Sequence, residues 1–151
     1  MIRRAVIPIM AAALCSSCYM PPSRLEEMPL LSRSFEVQLP PTVVVHNFEQ
    51  GLRYCAPHGT DDPVDIRYAL PDCGAPQPDG AATCYLYRAA EGGRLTRLVI
   101  GKANFRPLPG GTTAVELRVL DFLVHKDEIL QSWRQFLHGK ERDVCLPPVS
   151  S

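Results

Sequence analysis

The sequence predicts an α+β domain, an antiparallel sheet of about four strands flanked by an N-terminal and a C-terminal helix (α-β4-α). Three observations lead there. Apolar residues recur at helical spacing from Val44 and again from Ile129. Between them, several stretches alternate apolar and polar residues with the period of a half-buried strand. Short turns rich in Gly and Pro separate most of these stretches, and short connections favour antiparallel neighbours because a parallel pair needs a long crossover.

The elements follow in order. Phe35, Val37 and Leu39 alternate with polar residues as a short strand or extended lead-in, which Pro40-Pro41 stops. Thr42 is the expected cap of a helix running through Cys55. Val44, Phe48, Leu52 and Cys55 share one of its faces, although Val43-Val44-Val45 prefers strand and Gly51 weakens a helix interior. Residues 56–62 read as a loop. Val64, Ile66, Tyr68 and Leu70 then form the first alternating strand, ended by Pro71, with a loop over residues 72–81.

The second strand runs from Thr83 to Ala89, with Tyr85 and Tyr87 on one face and Cys84 and Leu86 on the other. Glu91-Gly92-Gly93 signals a hairpin turn. The third strand spans Leu95 to Phe105, with Gly101 at a bulge, and Pro107 to Gly111 turns the chain again. The fourth spans Thr112 to Val124. Its Val115, Leu117 and Val119 face one way, before the apolar phase shifts at Leu120, Phe122 and Val124. The closing helix has Asp127 and Glu128 in its first turn, Ile129, Leu130, Trp133, Phe136 and Leu137 on one face, and Gly139 at its stop.

The chain has 151 residues, 46% of them hydrophobic, enough for one packed domain with a tail. Sixteen basic residues balance sixteen acidic ones, so the excess of cations that binds nucleic acid is absent and no nucleic-acid partner is expected. The 15 Pro and 10 Gly fall below the roughly one quarter that marks low-complexity chains.

The N-terminus predicts export. Met1-Ile2-Arg3-Arg4 is a basic stretch, and the run from Ala5 to Leu14 is apolar and uncharged. It is shorter than the ~20 residues that a spanning helix needs. The next residues, Leu14-Cys15-Ser16-Ser17-Cys18, resemble the lipobox of bacterial lipoproteins. Ser17 takes the small position before the modified cysteine, while Cys15 stands where that family usually has Leu.

The resemblance implies loss of residues 1–17, a diacylglycerol on Cys18 and a third acyl chain, such as palmitate, on its amine. The protein would then be held at the membrane by lipid, because one chain alone binds only reversibly. Tyr19, in place of the Asp that favours inner-membrane retention, points to the outer membrane with the domain facing the periplasm. A cut after Ala13, following Ala11-Ala12-Ala13, is the alternative and would release a soluble secreted protein.

On the lipobox reading, residues 18–34 are the lipidated cysteine and a flexible tether, 35–146 the domain and 147–151 a tail. Losing Arg3 and Arg4 turns the neutral precursor into a mature chain of formal charge −2. Cys55, Cys73, Cys84 and Cys145 remain, an even number in an oxidising compartment. Of the three connectivities, Cys73–Cys84 closes a short loop and Cys55–Cys145 ties the early helix to the C-terminus, and these are favoured. No pair forms Cys-x-x-Cys apart from Cys15 and Cys18 in the processing region, so no metal is expected.

The order of elements over roughly residues 35–140 resembles the helix-grip domains of BamC-type lipoproteins of the outer-membrane assembly machinery. A helix carrying Trp133, followed by Gly139 and the late Cys145, is similar to small exported lipoproteins. Helix-grip folds often provide an apolar cavity between a curved sheet and the C-terminal helix. Tyr85, Tyr87, Phe122 and Trp133 are the candidates to line it; otherwise they are ordinary core.

Signatures of nucleophilic, nucleotide-binding and zinc-protease sites are absent, so no enzyme activity and no cofactor are expected. His58 beside Asp61 and Asp62 is the one candidate catalytic or metal group, in a segment that reads as an exposed turn. His46 lies on the first helix, His125 and His138 at the two ends of the last. The expected function is that of a non-enzymatic envelope lipoprotein whose disulfide-stabilised domain binds other envelope proteins. The alternative is a carrier of a lipid or other hydrophobic ligand.

Overall fold

The computed structural model describes residues 19–140 and Cys145. The elements are α1 (Pro22–Leu25), β1 (Leu30–Val37), α2 (Pro41–Cys55), β2 (Ala69–Cys73), β3 (Ala82–Ala90), β4 (Arg94–Leu108), β5 (Thr112–Leu120) and α3 (Lys126–Phe136). The five strands make one antiparallel sheet in the order β1-β5-β4-β3-β2. The mixed α/β character and the antiparallel sheet agree with the sequence reading. The sheet has five strands rather than about four, and a short helix precedes it.

Helices α2 and α3 pack on one face of the sheet. Val44, Phe48 and Leu52 of α2 meet Trp133 and Phe136 of α3 over Ala103, Phe105, Leu117 and Val119, all buried. The Phe48 ring stands edge-on to Phe105 at 5.5 Å and to Trp133 at 6.3 Å, the orientation that matches a positive ring edge to a negative face. Two glycines permit this packing. A Cβ on Gly51 would lie 2.4 Å from Cγ of Phe136, so the residue that weakens α2 in isolation is what lets α3 approach. A Cβ on Gly101 would lie 2.3 Å from the Arg118 carbonyl oxygen and 3.0 Å from Cη2 of Trp133. Gly101 sits beside a register shift, where Leu86 faces Gly101 but Tyr87 faces Val99 and Ile100 is the extra residue.

Several boundaries differ from the sequence reading, each for a local reason. Helix α2 begins at Pro41 with Pro40 as its N-cap and no side-chain cap, so Thr42 does not cap it. Proline suits the first helical position, where its missing N–H leaves nothing unpaired. The alternation at Val64, Ile66, Tyr68 and Leu70 belongs mostly to a loop, and Val64 is exposed. Arg88 organises that loop, its Nη2 donating to the carbonyls of Thr60 and Asp62 at 3.0 Å each. Strand β2 starts later and runs through Pro71, which an edge strand tolerates because one side has no ladder to supply. Strand β5 stops at Leu120, and Phe122 and Val124 lie beyond it, exposed.

The largest correction concerns residues 19–34. They are not a tether. Met20 bridges Leu98 of β4, its N–H donating to the Arg97 carbonyl at 3.1 Å and its carbonyl accepting from Val99 at 3.2 Å. It takes the edge of β4 beyond Gly101–Val119, where the β4–β5 pairing ends. Helix α1 follows, with Leu25 fully buried, and β1 pairs along its whole length with β5. The prolines that suggested a linker are capping residues, Pro21 before α1 and Pro22 at its first position.

Disulfides join Cys55 to Cys145 and Cys73 to Cys84. The first ties the end of α2 to the C-terminal segment, where the Tyr68 hydroxyl donates to the Cys145 carbonyl. The second crosses directly between β2 and β3, whose register places the two cysteines opposite one another.

Candidate functional site

Side chains alternate across a strand, so the sheet has a second face, opposite α2 and α3. Its residues are the polar members of each alternating run. The N-terminal segment covers part of this face. There Glu26, next to the buried Leu25, pairs with Lys102 and with Arg118. The rest remains open as a shallow concavity of about 570 Å³ lined by Ser34, Glu36, Asn104, Arg106, Ala114 and Glu116.

Glu116 is the hub of this surface. Its carboxylate accepts from Ser32 Oγ at 3.2 Å, Asn104 Nδ2 at 3.2 Å and Arg118 Nη2 at 2.9 Å. The Asn104 amide oxygen accepts in turn from Thr83 Oγ1 at 3.0 Å, so one network crosses β1, β5, β4 and β3. Burial alone would raise the Glu116 carboxyl, but the donors from Arg118, Asn104 and Ser32 outweigh it and hold it below its ordinary value. The Arg118 Nε lies buried between these two halves, without a hydrogen-bond partner among the described residues. Glu36 and Arg106 are exposed at the rim of the concavity. The arrangement presents fixed acceptors and donors side by side on a rigid sheet, which suits polar recognition.

The aromatic set expected to line one cavity is divided. Trp133 is buried between α3 and the sheet, Tyr85 and Tyr87 lie half-buried on the opposite face, and Phe122 is 62% exposed beyond β5. Burial raises the Tyr87 hydroxyl above its ordinary value. The space beside Trp133, lined by Leu52, Tyr68, Ser132 and Phe136, holds about 20 Å³. That is about the room of one water, with no space for an acyl chain.

The His58 group is divided as well. His58 packs near the Tyr68 ring, with centroids 6.1 Å apart. Asp61 pairs with Arg94 at 3.0 Å, and Asp62 accepts from the Val64 N–H at 2.9 Å. Both carboxylates are engaged in holding their loop. His125 lies between carboxylates, its Nε2 3.3 Å from Asp65 and its Nδ1 3.2 Å from Glu128, so neither ring nitrogen faces an open space. His46 lines a groove of about 330 Å³ with Glu49 of α2 and Cys73 and Pro76 of the β2–β3 region. Among the described residues, no three His, Cys, Asp or Glu side chains are grouped to hold a metal ion, and no helix is long and apolar enough to cross a membrane. Cys18 lies outside the described residues.

The polar face was missed in sequence, although its signal was present. Folding the hairpin about the turn at Pro109-Gly110-Gly111 pairs Lys102 with Arg118 and Asn104 with Glu116. The apolar parity of those strands is the stronger pattern and masks the ordered set of charges on the other. No known family model matches the chain, and no curated protein matches it.

Proposed function

We propose that this chain is a bacterial envelope lipoprotein, anchored in the outer membrane through lipid on Cys18, whose periplasm-facing domain binds another envelope protein without catalysis. The reading of residues 1–18 as signal and lipobox supports the anchor, and two disulfides suit an oxidising compartment. One observation carries the binding role: the open half of the second sheet face. A preorganised row of polar groups beside a concavity of about 570 Å³ provides a site for polar and main-chain groups of a protein surface. The helix-grip likeness belongs with this proposal, since helices α2 and α3 embrace one side of the sheet and leave part of the other for a partner.

Photocrosslinking in intact cells tests it. A photoreactive residue replacing Arg106, at the rim of the open half, is expected to capture one or a few envelope proteins. The same residue replacing Val43, 40% exposed on the outer side of α2, is expected to capture none of them. Equal products from both positions, or none from Arg106, would refute the surface. The mass of the purified mature protein tests the anchor independently.

A further inference from the structure

Only one residue, Tyr19, separates Cys18 from Met20, whose backbone is fixed to β4 by two hydrogen bonds. Two residues reach at most about 7 Å when fully extended. If Cys18 carries the acyl chains, the bilayer surface therefore lies next to the start of β4, because no slack remains in which the domain could swing away. The exposed groups at that place are of the matching kind. Tyr19 is 58% and Leu95 60% exposed, a ring with a polar tip and a bare aliphatic side chain, beside the exposed guanidinium groups of Arg94 and Arg97. Asp61 pairs with Arg94 at 3.0 Å, and Arg97 has no ion pair among the described residues, which makes it the cation offered to a phosphate there.

The geometry points to this corner, Tyr19 with the Arg94–Leu98 segment of β4, as a membrane-docking surface that takes an anionic phospholipid bilayer. Tyrosine sits well at the interface, where its ring meets acyl chains and its hydroxyl meets water, and cations near the surface are drawn to anionic headgroups. Docking there sets the orientation of the domain. Strand β4 is 15 residues long, so its far end and the turn at Pro109 stand away from the bilayer. The open concavity at Asn104 and Arg106, near that far end, is then held out toward the periplasm at a fixed distance. The inference rests on the lipid anchor proposed above.

The test uses the full acylated protein in vesicles of phosphatidylethanolamine and phosphatidylglycerol, with and without brominated acyl chains. Trp133, 1% exposed, supplies a constant background, and one further tryptophan is added at either end of β4 in separate variants, Leu95→Trp and Pro109→Trp. Both positions are exposed, so the fold tolerates them. Brominated lipid is expected to remove most of the added emission of L95W and none of that of P109W. Equal quenching at the two positions, or none at either, on protein whose mass shows the diacylglycerol, overturns the docked orientation and leaves the anchor standing. A mass without acyl chains overturns the anchor itself and the orientation with it, and that result is read before any vesicle is made.

Discussion

The two faces of the sheet are built on different principles. The face under α2 and α3 is apolar and interlocked, with Phe48, Phe105 and Trp133 edge to edge and glycines at the points of closest approach. The other face is a ladder of polar side chains, part of it sealed by the N-terminal segment and part left open. The first face supplies stability through burial. The open part of the second uses charge and hydrogen bonds whose net worth in folding is small, which leaves them available for recognition.

Truncations of buried side chains carry the largest expected effects on either face. Trp133→Ala removes the centre of the helix face and is expected to cost about 3–5 kcal/mol, read as a lowered urea midpoint, and at that loss the domain is close to unfolding. Leu25→Ala examines the sealed part of the second face. Leu25 is fully buried, so a loss of about 2–4 kcal/mol is expected, whereas a side chain on a tether would cost nothing measurable.

Glu116→Gln gives the smallest effect, below about 1 kcal/mol near neutral pH, because the carboxylate is partly exposed and its partners are screened. Its sign is fixed by the lowered folded-state pKa of Glu116. The carboxylate contributes stability that is complete above the unfolded-state pKa and is lost as pH falls through the folded-state value. The variant and the wild type are therefore expected to differ at neutral pH and to converge in acid, as followed by urea melts across that range. A difference that persisted in acid would assign the effect to packing.

The same contrast explains what could be read in advance. Strands β3, β4 and β5 and helix α3 follow from apolar periodicity, because one side of each is buried and the pattern must match. Residues 19–34 resisted, since a four-residue helix and one β-bridge leave no periodic trace, Leu30 to Ser34 of β1 do not alternate in burial, and Pro21, Pro22 and Pro29 imitate a linker. The alternation from Val64 to Leu70 misled because an arginine, Arg88, holds that loop through its carbonyls, which no local pattern reveals. For the candidate site, hairpin register alone brings Asn104 to Glu116, but the Glu26 pairs depend on the N-terminal segment folding back, a contact spanning 76 residues to Lys102. The aromatic residues drew attention as a group in sequence, yet strand parity sends Trp133's neighbours and the tyrosines to opposite faces.

The division of the second face into a sealed and an open part depends on the N-terminal segment being part of the sheet. Residue-resolved amide hydrogen exchange on the mature protein measures this directly. The Met20 and Val99 N–H groups, which donate to Arg97 and Met20, are expected to exchange orders of magnitude more slowly than in an unstructured peptide. Exchange of Met20 at the rate of a free chain, with the β4–β5 amides still protected, would contradict the account and restore a tethered domain with its second face wholly open.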